Sequence, residues 1–270
     1  MLFAVEIGNS TINIAFFRNS YNSEFEIFSF DTQEFSLFSN ANQTDIITKT
    51  VIEPLNRTGK FDKKLHDNID CIICSVVPGL TEKIFIFFKT LCKNTIVMDY
   101  KIYTGLILKL DKPETFGVDR LASSVAAYEL FKENLAVVDA GTATTITIVT
   151  KNGEILGGSI MPGIGTMNYA LTEKTASLPT VDIKKNFDIP GKDTHSAILN
   201  GIVLGTVYAV EGIIKAVEKE INLTLLTILT GGYSELISKH MQRKHLLNKY
   251  LVIEGMRLIY LKNINFRRTL

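Results

Sequence analysis

The N-terminal stretch Leu2-Phe3-Ala4-Val5-Glu6-Ile7-Gly8-Asn9-Ser10-Thr11-Ile12-Asn13-Ile14-Ala15-Phe16-Phe17 reads as two strands around a tight turn. Residues 2–7 and 11–17 are rich in β-branched and aromatic side chains, and Gly8-Asn9-Ser10 between them suits a hairpin. The stretch decides the fold because it has an echo. Glu6-Ile7-Gly8-Asn9-Ser10-Thr11 and Asp139-Ala140-Gly141-Thr142-Ala143-Thr144 share one layout of strand, acid, any residue, glycine, hydroxyl-rich turn and strand, 133 residues apart. That spacing is about half the chain, and it predicts two similar domains.

Outward from these hairpins, the pattern alternates strands with helices. A β-branched strand is expected over 71–77, ended by Pro78-Gly79, and a helix over 80–93 with Ile84, Phe85, Phe88 and Leu91 on one side. A long amphipathic helix is expected from Asp119 to about Lys132, and a strand over 135–138 leads into the second acidic turn. Asn152-Gly153 turns the chain into a further strand over 154–160. A helix over 197–218, a strand over 223–229 and Thr230-Gly231-Gly232 follow. The residues between about 18 and 44 read as polar and dotted with Phe. The whole predicts an α/β fold of two domains, 1–115 and 116–270, with mixed sheets flanked by helices.

The 270 residues are 46% hydrophobic and 21% charged, enough apolar surface for a large core. With 29 Lys and Arg against 28 Asp and Glu, the net charge of +1 argues against a dedicated polyanion binder. The last 32 residues do skew basic, with Lys239, Arg243, Lys244, Lys249, Arg257, Lys262, Arg267 and Arg268 against Glu254 alone, which reads as a solvated helix face and tail. The start carries an acid and no basic region of the secretory kind, and the apolar runs are interrupted before membrane-spanning length, so a cytoplasmic protein without nucleic-acid or membrane partners is expected. Cys71, Cys74 and Cys92 have no second cysteine or histidine pair to make a zinc site and are expected as buried free thiols.

An acid followed by a glycine and hydroxyl-rich turn is a device for holding phosphate. Glycine allows close backbone approach, successive N–H groups and hydroxyls donate to phosphate oxygens, and the carboxylate can hold a metal ion or its water. Two such turns at matched positions point to a phosphate-handling protein. On the residues alone, Asp119 reads as an N-cap of the helix that follows, Thr194 as an N-cap of the next long helix, and His195 as incidental.

Taken together, these segments resemble the type III pantothenate kinases of the actin, sugar kinase and Hsp70 superfamily. The resemblance rests on Glu6-Ile7-Gly8-Asn9-Ser10, Ser75-Val76-Val77-Pro78, Thr104-Gly105-Leu106, Gly117-Val118-Asp119-Arg120 and Asp139-Ala140-Gly141-Thr142-Ala143-Thr144-Thr145. Gly157-Gly158-Ser159-Ile160-Met161-Pro162-Gly163, Leu178-Pro179, Gly191-Lys192-Asp193-Thr194 and Thr230-Gly231-Gly232 continue it in the family's order.

The resemblance implies two actin-like (ribonuclease H-like) domains and ATP-dependent phosphorylation of pantothenate to 4'-phosphopantothenate, the first step of coenzyme A synthesis. It implies Asp119 as general base, and Gly117, Val118, Asp119, Arg120, Thr194 and position 110 as pantothenate contacts. Glu6, Ile7, Gly8, Asn9, Ser10, Thr11, Ile12, Asn13 and Thr142 would bind ATP, Asp139 would hold a monovalent cation (K⁺ or NH₄⁺), and Glu6 would serve Mg²⁺. A homodimer with the Asp119 helix near its interface is also implied. The chain departs from the family at Glu6, where Asp is usual, at Ser10, where Thr is usual, and at Leu110, where many members carry Tyr. The alternative is a nucleotide-binding regulator of the same fold with weak turnover.

Overall fold

The computed structural model describes residues 1–59 and 69–269. Its strands are β1 (Leu2–Ile7), β2 (Thr11–Phe17), β3 (Glu26–Asp31), β4 (Asp70–Ser75), β5 (Asn94–Val97), β6 (Ile107–Leu108), β7 (Leu135–Ala140), β8 (Ala143–Val149), β9 (Glu154–Pro162), β10 (Leu226–Thr230) and β11 (His245–Leu247). The helices are α1 (Thr32–Leu37), α2 (Asn40–Ile47), α3 (Glu53–Arg57), α4 (Pro78–Leu91), α5 (Val118–Phe131), α6 (Ile164–Lys174), α7 (Thr194–Ile221), α8 (Ser234–His240) and α9 (Leu251–Thr269).

Two compact units emerge. The first gathers Met1–Gly105, Lys112–Ala126 and the segment from Val252 onward; the second holds Leu106–Asp111 and Ala127–Leu251. The chain thus returns to its first unit at the end, where the sequence suggested a single cut after residue 115, and α5 runs from one unit into the other.

In the first unit the sheet order is β3-β2-β1-β4-β5, with β1 antiparallel to β2 and parallel to β4. Leu2, Phe3, Ala4, Val5 and Ile7 are all buried because β1 lies at the sheet centre and is covered on both faces. Phe3, Val5 and Ile7 join Ile12, Ile14, Cys71, Ile73, Ile84 and Phe88 in one core. On α4 the buried residues are Leu80, Ile84, Phe87, Phe88 and Leu91, so Phe87 takes the inward position expected of Phe85, which is only partly buried. Gly255 of α9 lies so close to α5 that a Cβ there would sit 1.9 Å from the Ala122 carbonyl oxygen.

In the second unit the order is β11-β10-β7-β8-β9-β6. Leaving out β6, the order and directions repeat those of the first sheet, β7 standing for β1 and β10 for β4. The mixed sheets flanked by helices are those expected from the sequence. The side of α7 that carries Ile198, Leu199, Ile202, Val203, Val207, Val210 and Ile214 is buried. By length and composition α7 could cross a membrane, contrary to the expectation that no stretch is long and apolar enough, but half of its apolar window is buried. The three cysteines are buried and outside any disulfide, as expected.

Candidate active site

The first acidic turn is closed by a Gly8 N–H···O=C Thr11 hydrogen bond of 2.9 Å. The second is one residue tighter, with Gly141 N–H donating to the Ala143 carbonyl at 3.1 Å. Consequently Glu6 faces Asn13 across the hairpin, whereas Asp139 faces Thr145. The sequence echo matched Thr11 with Thr144. The register instead places Thr11 with Ala143, because the shorter turn removes one position.

The start of α1 fixes the first turn from outside. Thr32 Oγ1 donates to the Gly8 carbonyl at 2.8 Å and Thr32 N–H to the Ser10 carbonyl at 3.1 Å. Gly8, Asn9, Ser10 and Thr11 are therefore held in one conformation with Asn9, Ser10 and Thr11 exposed. Ile7 and Ile12 are buried in the core and can offer a ligand only their backbone.

Glu6 is the single charged residue of β1, at its C-terminal end. Asn13 Nδ2 donates to Glu6 Oε2 at 2.9 Å, and Ser29 Oγ on β3 donates to Asn13 Oδ1 at 2.7 Å. Burial pushes the Glu6 carboxyl up, the Asn13 hydrogen bond opposes that, and the negative charge of Asp119 raises it further. Two of the expected site carboxylates are thus electrostatically coupled within the first unit.

Asp119 lies one residue inside α5, not at its cap. The first helical bond runs from Leu121 N–H to the Gly117 carbonyl at 3.0 Å, and Asp119 Oδ1 accepts the Arg120 N–H at 2.8 Å. A carboxylate in a first helical turn is favoured by the exposed N–H groups there. Gly117 leaves room for this rotamer, since a Cβ would lie 2.5 Å from Asp119 Oδ1 and the carboxylate would have to turn away. Arg120 is half-buried with its guanidinium 4.5 Å from the centre of the Phe116 ring, and burial lowers its pKa while Asp119 raises it. A guanidinium remains charged in such a setting and favours an anionic ligand.

In the second unit, Asp139 stands at the end of β7 under the chain that leaves β10. Gly231 has φ +89° there, and a Cβ on it would lie 2.3 Å from Asp139 Oδ1. Tyr233 N–H donates to the Ala140 carbonyl at 2.9 Å, which clamps this crossing. The Thr142 carbonyl accepts Gly163 N–H at 3.0 Å and Thr166 Oγ1 at 2.6 Å, leaving the Thr142 side chain exposed. Gly163 is as constrained as Gly231, because its Cβ would meet the Gly141 carbonyl oxygen at 2.1 Å.

Thr194 is not the cap of α7. Asp193 is, accepting Ser196 N–H at 2.8 Å while the Ser196 hydroxyl takes the Asp193 N–H, and these bonds hold the Asp193 carboxyl below its ordinary pKa. Thr194 follows at the first helical position with its side chain exposed. Leu110 packs by its Cδ2 about where a Cβ on Gly157 would be in van der Waals contact, at 3.7 Å. Lys109 N–H donates to Ile155 O at 2.9 Å, so the segment that carries Leu110 extends the β9 edge.

Among the described residues no group of three or more His, Cys, Asp and Glu side chains could hold a metal ion. Glu6 offers a single carboxylate of the kind that suits Mg²⁺, which keeps waters and takes one or two carboxylates plus substrate phosphates. The Asp139 carboxylate under the Gly231 crossing offers a hard oxygen in a cradle that a Cβ would fill, which fits a monovalent cation.

Sequence reasoning missed Thr32, Ser29 and Thr166. The first two lie in the stretch read as polar and Phe-dotted, which carries β3 and the start of α1; the signal was the Phe28, Phe30 alternation with Ser29 between them. Thr166 had no signal, since it acts through a hydroxyl bond to a backbone carbonyl 24 residues away.

A model of the type III pantothenate kinase family matches residues 2–216. Type III pantothenate kinase of Dictyoglomus turgidum is 36% identical over 98% of this chain and its own full length, and that of Dehalococcoides mccartyi (strain BAV1) is 32% identical over 97% and 96%. Among solved structures, a Campylobacter jejuni protein described as a Baf family transcriptional activator superposes with a TM-score of 0.60 at 20% identity, covering 97% of this chain and 99% of that one. A Chromobacterium violaceum structure described as an N-acetylglucosamine kinase gives 0.52 at 11%, covering 96% and 98%. These last two likenesses concern the fold alone. With four-fifths of its length matched by the family model and relatives above 30% identity along nearly all of it, the chain belongs to the type III pantothenate kinase family.

Proposed function

We propose that this protein transfers the γ-phosphoryl group of ATP to the primary hydroxyl of pantothenate, giving 4'-phosphopantothenate for coenzyme A synthesis. Family membership supports the reaction. The observation that carries the residue assignment is the Asp119 carboxylate held in the first turn of α5 beside Arg120, with Gly117 clearing space for it.

In this reading Asp119 accepts the hydroxyl proton as the pantothenate oxygen bonds to the γ-phosphorus and the bond to the departing ADP oxygen breaks. Arg120 pairs with the pantothenate carboxylate, with Gly117 and Val118 shaping the same loop. Thr194 adds a hydroxyl contact and Leu110 an apolar one where many relatives would hydrogen-bond. The Gly8–Thr11 turn supplies N–H and hydroxyl donors to ATP phosphates, and Thr142 supplies a further hydroxyl. Mg²⁺ near Glu6 and K⁺ or NH₄⁺ at Asp139 would offset phosphate charge. In this reading the enzyme acts as a cytoplasmic homodimer with α5 near its interface.

The test is Asp119→Asn. Turnover should fall about 10²- to 10⁴-fold, the usual effect of removing a general base, with ATP affinity retained. Near-wild-type turnover would sink the assignment.

A further inference from the structure

Glu6 is held from behind by a two-membered relay that runs across the first sheet. Asn13 faces it on β2, and Ser29 faces Asn13 on β3, so three neighbouring strands contribute one residue each. The direction of the relay is fixed by chemistry. An ionised carboxylate only accepts, so the Asn13 amide must turn Nδ2 toward Glu6; its Oδ1 then points back and takes the Ser29 hydroxyl. Around this carboxylate the other influences favour the neutral acid: burial, and the charge of Asp119 from α5. The register neighbour on β4 is Cys74, buried and outside any disulfide. Asn13 is the group that opposes them.

We infer that Asn13, braced by Ser29, is a positioning residue that ties down one oxygen of Glu6 and fixes the orientation of its carboxylate, leaving Oε1 for the hydrated metal of Mg·ATP. The inference rests on the proposed role of Glu6 in serving that metal. A glutamate has one more rotatable bond than an aspartate, and an unbraced carboxylate at this depth would sample several rotamers. The 2.9 Å and 2.7 Å bonds select one.

The experiment compares Asn13→Leu and Ser29→Ala in the wild-type and Glu6→Asp backgrounds. Asn13→Leu should raise the KM for Mg·ATP by roughly 10- to 100-fold, the loss expected for one hydrogen bond to a charged group. Its kcat at saturation should change less, the KM-against-kcat split expected of a residue that orients the ATP-side carboxylate. Ser29→Ala should do the same more weakly. In the Glu6→Asp background the shorter side chain no longer reaches Asn13, so the added effect of Asn13→Leu should shrink to about 3-fold or less. An equal loss in both backgrounds would overturn the relay, as would a lowered Tm without any change in KM. Should the protein fail to phosphorylate pantothenate at all, the functional reading falls separately. The relay is then judged by the Kd for Mg·ATP measured calorimetrically without pantothenate, which must rise in Asn13→Leu and would refute the relay by staying where it is.

Discussion

Gly231→Ala is the substitution whose cost follows most directly from the geometry of the second acidic turn. Two penalties combine. The residue has φ +89°, a conformation that costs an L side chain about 1–2 kcal/mol. Its new Cβ would also stand 2.3 Å from Asp139 Oδ1 and 2.9 Å from the Ala140 backbone nitrogen and carbon, against a central strand that cannot move away. Overpacking of this kind costs about 1–3 kcal/mol. The expected destabilisation is about 2–5 kcal/mol, read as a lower urea midpoint with unchanged m. The Asp139 carboxylate should also be displaced, so K⁺ stimulation of turnover should weaken in the protein that remains folded. Gly232→Ala is the matched control: a Cβ there meets nothing within 4 Å, and stability should stay within about 0.5 kcal/mol. If Gly231→Ala were as stable as Gly232→Ala, the close crossing over Asp139 would be wrong.

Asp139→Ala should remove the difference in rate between K⁺ and Na⁺ buffers together with most activity; equal rates in the two buffers for wild type would contradict a cation role. Glu6→Gln should lose activity yet gain stability. The folded-state pKa of Glu6 is raised, so ionising it costs stability as pH rises above the unfolded value, and the variant's Tm should exceed wild type at neutral pH but match it in acid. A Tm below wild type at pH 7 would refute this. Glu218→Gln tests the opposite sign. Arg243 donates to both Glu218 oxygens and holds its carboxyl low, so the pair should contribute about 1–3 kcal/mol above the usual glutamate range and lose it as pH falls through the lowered pKa. Urea midpoints of wild type and variant should therefore converge in acid, and a pH-independent gap would show that charge is not the cause.

The hairpins and the duplicated sheet were legible because β1 and β7 place an acid and a glycine at the end of an apolar run, a pattern local in sequence. Helix α5 was legible from its periodicity to within a residue at each end. That one residue mattered, because it decides whether Asp119 caps the helix or stands within its first turn. The strand β3 was illegible because an edge strand buries little: its residues are half-exposed, and Glu26, Ser29 and Asp31 interrupt the apolar signal. The return of α9 to the first unit depends on Gly255 approaching Ala122, a contact between residues 133 positions apart that no local pattern encodes. The roles of Glu6, Asp119, Asp139 and Thr194 came from the resemblance. The structure adds what surrounds them: Thr32 bracing the first turn, Gly163 and Thr166 bracing the second, and Asp193 taking the cap that Thr194 was expected to fill.

The most direct test follows the phosphoryl group. Purified protein is incubated with pantothenate, Mg²⁺, K⁺ and ATP labelled in its γ-phosphate, and the products are resolved by mass spectrometry. The account predicts a labelled phosphoryl group on pantothenate, formed in step with ADP and lost in Asp119→Asn. ADP release with the label in inorganic phosphate, or an unchanged pantothenate mass after prolonged incubation, would contradict it.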